Sequence, residues 1–255
     1  DKMRYGQVQA AGFTGVGLGE LVPEVRILEI PFNITSYKQY DCLLKNLSAD
    51  FEKKFESRGY VVLGWADLGF VHLFSKQNIK SIADMSKTKP WVWEGDPLAK
   101  AAFKTFGINP TPLSLQDVFT SLQTGLIDTV YNSPVGAIAL QWYTKLSYLI
   151  DLPIVVGSGA IVVSKQFLDG LPAEYQKLLR EKTAEYCGKL VSVTRLSNDK
   201  SLKVLQDKGV TLINVDEKTR DEYKKKGKEA AKSLIGKLYD APLLSKVENL
   251  LNTCK

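Results

Sequence analysis

The sequence predicts an α/β fold, on three observations. Strand-like and helix-like runs alternate along almost the whole chain, several helices carry recognisable start and stop residues, and no linker, repeat or low-complexity stretch divides the alternation. With 255 residues, 44% of them hydrophobic, the chain is long enough to bury a large core as one big domain or two modest ones. Because no linker is visible, a two-lobed organisation has to be built by strands that cross between the lobes more than once.

Taken in order, Val8 to Phe13 is expected as a short buried strand ending in the glycine-rich loop Gly12 to Gly19. Val25 to Ile30 follows as a strand stopped by Pro31, and Tyr37 to Arg58 as a long amphipathic helix closed by Gly59. Tyr60 to Trp65 and Val71 to Ser75 are expected as strands, Ile82 to Met85 as a helical turn, and Trp91 to Trp93 as another strand. Asp96 is a good N-cap, Pro97 suits the first helical position, and Gly107 can end that helix in a left-handed conformation. An extended segment, Asn109 to Leu113, leads to Ser114, which with Asp117 resembles a capping box for a helix Leu115 to Thr124 that stops at Gly125. Leu126 to Tyr131 completes a strand–helix–strand–helix–strand run, the crossover unit of a parallel sheet. Pro134 to Leu149 is then expected as helix, Ile154 to Ser164 as a bent strand or strand pair, and Leu171-Pro172 as the opening of a long helix towards Gly209. A late strand, Val210 to Val215, and two C-terminal helices end the chain.

Composition excludes several functions. Lys and Arg number 34 against 28 Asp and Glu, for a net charge of +6. The excess lies near the C-terminus, in Lys218, Lys224, Lys225, Lys226, Lys228 and Lys232, but it alternates with Asp221, Glu222 and Glu229 as a solvated helix face does, so no nucleic-acid partner is expected. His72 is the single histidine, which excludes a multi-histidine metal site. Cys42, Cys187 and Cys254 are far apart and form no Cys-x-x-Cys pair, so they are expected as isolated thiols rather than a zinc site or a disulfide framework. The most apolar stretch, Leu149 to Val163, is broken by Asp151 and Pro153 and predicts no membrane span. Asp1 to Arg4 shows no signal-peptide pattern, as a mature, trimmed or truncated chain would also look.

The search for chemistry finds no nucleophile with a base. The glycine loop has neither the Gly-x-Gly-x-x-Gly spacing of a dinucleotide site nor the ending of a phosphate loop, which leaves a tight turn or an anion contact. Glu94 and Asp96 sit at a helix start, where acids cap without reacting, and His72 lies in an apolar run as a structural histidine would. The aromatic residues are more informative. Trp65, Phe70, Trp91, Trp93, Tyr131 and Trp142 fall mostly at strand ends, where parallel sheets open a cleft, and Asn132 is the polar group best placed to meet them.

Four separated motifs then carry a resemblance: Val22-Pro23-Glu24-Val25-Arg26-Ile27-Leu28-Glu29-Ile30-Pro31-Phe32, Ser81-Ile82-Ala83-Asp84-Met85, Leu122-Gln123-Thr124-Gly125-Leu126-Ile127-Asp128, and Leu171-Pro172. In order and spacing the chain resembles the DctP-type solute receptors of tripartite ATP-independent periplasmic (TRAP) transporters. The resemblance implies a class II periplasmic-binding-protein-like fold with crossing hinge strands and a long bridging helix, lacking the family's N-terminal strand–helix–strand. It implies a first lobe of residues 1–68 and 157–197 and a second of 69–156 and 198–255. It further implies a periplasmic, non-enzymatic receptor that needs no cofactor or metal, takes a small organic solute, an organic acid in most of the family, and delivers it to TRAP permease subunits. Self-association along an exposed sheet edge would be one way to fill the missing segment.

The residue-by-residue match departs from the family at its arginines. The family's Lys-x-Arg reads Lys89-Pro90-Trp91 here, and its upstream Gly-x-Arg reads Gly69-Phe70-Val71. The family's Asp-Gly-x-Glu-Asn reads Asp128-Thr129-Val130-Tyr131-Asn132, keeping the Asn and replacing the Glu. The expected pocket is therefore aromatic, built from Trp91, Trp93, Tyr131, Asn132 and Phe70, with Phe13, Thr14 and Gly15 as anion contacts. A ligand-sensing module for a signalling partner would bind equally well, and an enzyme on a similar fold would need a perturbed acid or nucleophile.

Overall fold

A computed structural model describes residues 2–254. Asp1 and Lys255, the outer ends of the expected lobes, lie outside them. The elements run β1 (Ala10–Thr14), α1 (Gly15–Leu21), a 3-10 helix (Pro23–Glu29), α2 (Tyr37–Ser57), β2 (Tyr60–Ser75), α3 (Ile82–Met85), β3 (Trp91–Trp93), α4 (Pro97–Thr105), β4 (Thr111–Leu113) and α5 (Leu115–Thr124). There follow β5 (Thr129–Asn132), α6 (Pro134–Ala139), a second 3-10 helix (Trp142–Lys145), β6 (Tyr148–Ile150), β7 (Val155–Ser164), α7 (Lys165–Asp169), α8 (Ala173–Asp207), β8 (Thr211–Ile213), α9 (Glu217–Ser233) and α10 (Ala241–Thr253).

Among the described residues the strands form a six-stranded sheet, ordered β1-β7-β2-β6-β8 with β5 also on β2, and a two-stranded sheet of β3 and β4. Pairing, expected to be largely parallel, is parallel between named strands only for β3 with β4 and β6 with β8 among the described residues. The rest is antiparallel because β2 and β7 run side by side for most of their length. These two strands make the two-lobed fold. Val62 of β2 and Val162 of β7 belong to one hydrophobic core with α2, while Leu73 and Phe74, further along β2, belong to two others. The strands expected at Tyr60 to Trp65 and Val71 to Ser75 are thus one strand. It is kinked at Gly69, whose φ of 74° coincides with a register shift and where a Cβ would collide with Asn198.

Helix α8 braces both ends of this pair. Its Arg195 reaches Asp67 of β2 and Asp41 of α2, its Asn198 takes the Val135 N–H and donates to the Leu68 carbonyl, and its Leu205 enters the core around Trp91 and Trp142. Helix α2 is capped by Ser36, which accepts from the Gln39 N–H, and buries Tyr40, Leu43, Leu47, Phe51 and Phe55 at helical spacing.

Five expectations are corrected. Val25 to Ile30 is not a strand: Pro23 starts a 3-10 helix, and the five residues Val25 to Glu29 are all buried, so no two-residue alternation exists. The glycine loop is mostly α1. Its glycines serve close approach, since Cβ atoms on Gly15, Gly17 and Gly19 would collide with Glu29, Phe13 and Arg26. Pro134 to Leu149 breaks into a short helix, a 3-10 turn and a strand, with Gln141 at φ 57° interrupting it. Cys42 and Cys254 form a disulfide across 212 positions, a pairing that spacing cannot signal; Cys187 is a buried free thiol as expected. Helix α10, expected with the second lobe, packs Leu244 and Val247 into the core that holds Leu43 and Leu47 of α2.

Candidate functional site

A cavity of about 170 Å³ lies between the core built on α2 and the cores around Phe103 and Trp91. One wall is aromatic. Trp91 and Trp93 share a face of β3, as residues two apart on a strand must. The bridge from Pro90 to Thr129 sets β5 beside β3 and brings Tyr131 against Trp91, with ring centroids 5.0 Å apart and planes at 24°. Trp91 is held from behind by an edge contact to Trp142 at 5.5 Å, and its Nε1–H donates to the Leu113 carbonyl at 3.0 Å. The Tyr131 hydroxyl accepts from the Trp93 N–H at 3.2 Å, and burial, with the nearby Asp96, pushes its ionisation well above the usual phenol range.

Beside it the lining is charged. Arg26 lies between two carboxylates, with Nη1 2.6 Å from Glu29 Oε2 and Nη2 2.8 and 2.9 Å from the two oxygens of Asp96. All three side chains are buried, with residue exposures of 4%, 7% and 5%. Each acid has a second anchor. Glu29 Oε1 accepts from the Ser158 N–H of β7 at 2.7 Å, and Asp96 Oδ1 caps α4 by accepting from Leu98 and Ala99. Burial pushes the Glu29 carboxyl up, against the pull of Arg26. For Arg26 burial acts downwards, but Glu29 and Asp96 more than offset it and the guanidinium is held above its ordinary value. Arg26 and Glu29 come from the 3-10 helix on the α2 core, and Asp96 starts α4, which places Leu98 in that same core and Phe103 in the next, so this cluster ties the 3-10 helix to the start of α4.

Of the eight expected site residues, Trp91, Trp93, Tyr131, Asn132, Thr14 and Gly15 line this cavity. Phe13 and Phe70 do not. Phe13 packs against Gly17 and the α2 core, and Phe70 stacks on Tyr37 at 4.4 Å. At Gly15, one of the residues expected as anion contacts, the Glu29 carboxylate already lies against the backbone. Asn132 is partly self-engaged, its Oδ1 accepting from the Ser133 N–H at 2.8 Å. His72 is structural: its Nδ1 lies 3.2 Å from the Ile150 carbonyl, which can only accept, so the ring donates there. Burial lowers its pKa.

Arg26 and Glu29 were not expected at the site, and Asp96 only as a cap. A signal was present, since three charges, Glu24, Arg26 and Glu29, interrupt an otherwise apolar run between Pro23 and Pro31. Among the described residues no group of three or more His, Cys, Asp or Glu could hold a metal ion.

The family model described as bacterial extracellular solute-binding protein, family 7, matches residues 1–237. A solute-binding protein of Verminephrobacter eiseniae is 30% identical over 204 residues, 78% of this chain and 60% of its own. An ectoine/5-hydroxyectoine-binding periplasmic protein of Ruegeria pomeroyi is 25% identical over 91% of this chain and 68% of its own length. For the C4-dicarboxylate-binding periplasmic protein of Rhodobacter capsulatus the figures are 24%, 83% and 64%. The chain thus spans between 60% and 68% of the length of these relatives. In solved structures the fold recurs with a TM-score of 0.92 at 20% identity in a TRAP periplasmic solute-binding protein of Ralstonia eutropha with bound (S)-2-acetolactate, over 99% of this chain and 82% of that one. The sugar acid binding protein of Advenella mimigardefordensis in complex with galactonate gives the same TM-score and identity, over 100% and 82%.

Proposed function

The chain belongs to the DctP family of bacterial extracellular solute-binding proteins, and from that premise we propose that it is a periplasmic receptor that captures a small organic solute and hands it unchanged to a TRAP-type membrane permease. The observation that carries this reading is the cavity itself. Its walls come from both sides of the crossing strands β2 and β7, so a solute inside touches both, and movement of one side against the other opens or shuts it. A solute that touches both sides favours the shut form by its differential affinity, which is all that capture and release require. The absence of covalent work fits a cavity whose acids are engaged by Arg26 and backbone amides. Among the described residues no helix is long and apolar enough to cross a membrane.

The Trp91–Tyr131 stack and Trp93 would provide apolar faces for the solute, and Asn132 a hydrogen-bonding edge. The lobes that close over it would be residues 1–68 and 157–197 against 69–156 and 198–255, with α10 reassigned to the first by its packing on α2. The test is a thermal-shift screen of organic solutes, followed by calorimetry and small-angle scattering on each hit. A true ligand at a hundred times its Kd adds about 2.7 kcal/mol of stability and lowers the radius of gyration. Trp93→Ala and Asn132→Ala should each weaken it. A hit that both variants bind as well as wild type, or that is chemically altered on incubation, overturns the assignment.

A further inference from the structure

Polar groups are few in the cavity lining and are not spread around it. Apart from Tyr131 and the indoles of Trp91 and Trp93, the polar side chains there are Thr14, Arg26, Glu29, Asp96 and Asn132. Three of these form one cluster, with Arg26 lying 2.6 Å from Glu29 and 2.8 Å from Asp96. Much of the remaining lining is hydrocarbon, from Leu68, Val71 and Leu73 of β2, Met85 of α3, and Leu98 and Phe103 of α4. A solute inside therefore meets polar atoms over one part of its surface and carbon over the rest.

The polar part has donors to spare and few acceptors. Every carboxylate oxygen of the cluster is engaged: Glu29 Oε1 by the Ser158 amide, Glu29 Oε2 by Arg26, and both oxygens of Asp96 by Arg26. The buried Arg26 Nε–H, by contrast, has no partner. The Asn132 amide is oriented by its Oδ1, which accepts from the Ser133 N–H, and its Nδ2 has no acceptor among the described residues. The polar end that suits this lining is an acceptor.

The apolar part sets the other condition. A cavity of about 150 Å³ holds benzene, so the 170 Å³ here is filled by a solute of roughly six to ten heavy atoms whose body lies against the hydrocarbon wall. Each methylene buried there gains about fourfold in affinity. A hydroxyl or a second carboxylate turned towards Leu68, Met85 or Phe103 gives up its water and finds no partner, which costs roughly ten- to a hundredfold. The spare lone pairs of Glu29 and Asp96 sit together in the cluster and can serve a hydroxyl beside it, but not a body hydroxylated on every side.

We propose that the solute is an organic acid or ketone with an aromatic or branched hydrocarbon body and acceptor oxygens at one end only, and that polyhydroxylated acids and dicarboxylates are refused. The proposal rests on the receptor reading and narrows it by the polarity of the solute's body. The experiment is isothermal titration of the intact chain with two matched pairs. Cyclohexanecarboxylate and quinate share a ring and a carboxylate and differ in hydroxyls; 3-methylbutanoate and succinate are near-isosteric and differ in a branched alkyl end against a second carboxylate. Within each pair the first compound should bind at least tenfold more tightly. Asn132→Asp keeps an oxygen for the Ser133 amide but replaces the free N–H donors by an acceptor, and should weaken cyclohexanecarboxylate at least tenfold. Quinate or succinate bound as tightly as its apolar counterpart, or undiminished affinity in Asn132→Asp, would overturn the proposal and leave the receptor reading standing. Silence from all four compounds and from a broad solute panel would overturn both.

Discussion

Replacing Arg26 by methionine, which keeps the length of the stem and removes the charge, isolates what the buried cluster contributes. Asp96 would lose two charge-assisted hydrogen bonds but keep the α4 amides and the favourable end of that helix. Glu29 would keep only the Ser158 amide and, without a counter-ion in a buried site, would take up a proton. Neutralising a carboxyl of reference pKa about 4.3 at pH 7 costs 2.7 units at 1.36 kcal/mol each, about 4 kcal/mol. Adding about 1.5 to 3 kcal/mol for the weakened Asp96 contacts gives a loss of about 5 to 7 kcal/mol at pH 7. The sign with pH follows from the raised folded-state pKa of Glu29 in the variant: its stability is present below the unfolded value and lost as pH rises through the folded one. Urea denaturation at pH 5 and pH 7 should therefore show a deficit smaller at pH 5 by up to about 2.7 kcal/mol, one proton over two pH units. Equal deficits at the two pH values would refute the claim that Glu29 depends on Arg26 for its charge.

Three further outcomes can be checked by denaturation. Burial holds His72 below its ordinary pKa, against a weaker upward pull from the Ile150 carbonyl and Asp151. The unfolded chain therefore binds a proton that the native one refuses, and stability is lost as pH falls through about 6.5. Wild type should lose about 1 kcal/mol more than His72→Gln between pH 7.5 and 5.5, and parallel pH profiles for the two would refute this. Reduction of the Cys42–Cys254 disulfide, or Cys254→Ser, frees the end of α10 from α2 across 212 positions. The loop-entropy ceiling is about 5 kcal/mol and the usual yield about 2 to 4 kcal/mol, so the melting midpoint should fall by roughly 5 to 10 °C; an unchanged midpoint in reductant counts against the tie. Gly15→Ala places a Cβ on the Glu29 carboxylate and should cost about 1 to 3 kcal/mol, whereas Gly188→Ala in α8 meets nothing and should gain about 0.5 to 1 kcal/mol. A reversed order would mean that α1 shifts freely.

Local signals were legible where one residue governs the local backbone. Asp96-Pro97 and Gly107, the α2 stripe with Gly59, Gly125 after α5, and Pro172 before α8 all act within a turn of their own position, and the elements there lie within a few residues of expectation. Pairing direction and long-range contacts were not legible. Nothing near Val71 indicates that β2 continues through Gly69 or that β7 runs antiparallel beside it, and nothing near Cys42 points to Cys254. The aromatic half of the candidate site could be found because strand ends are readable. The charged half could not, because a 3-10 helix with both faces buried resembles a buried strand when only hydrophobicity is considered.

The arginines expected by resemblance and the cluster found in the structure belong together. A guanidinium does reach the cavity, but from position 26 rather than 71 or 91, and the chain supplies both of its acids. Both Nη groups are thereby paired within the chain, while the buried Arg26 Nε–H is left without a partner. Two consequences follow from that substitution. In the proposed receptor the shut form would be supported in part before any solute arrives, so a solute would need less differential affinity to hold it shut. And one polar group of the cluster, the buried Arg26 Nε–H, still has no acceptor.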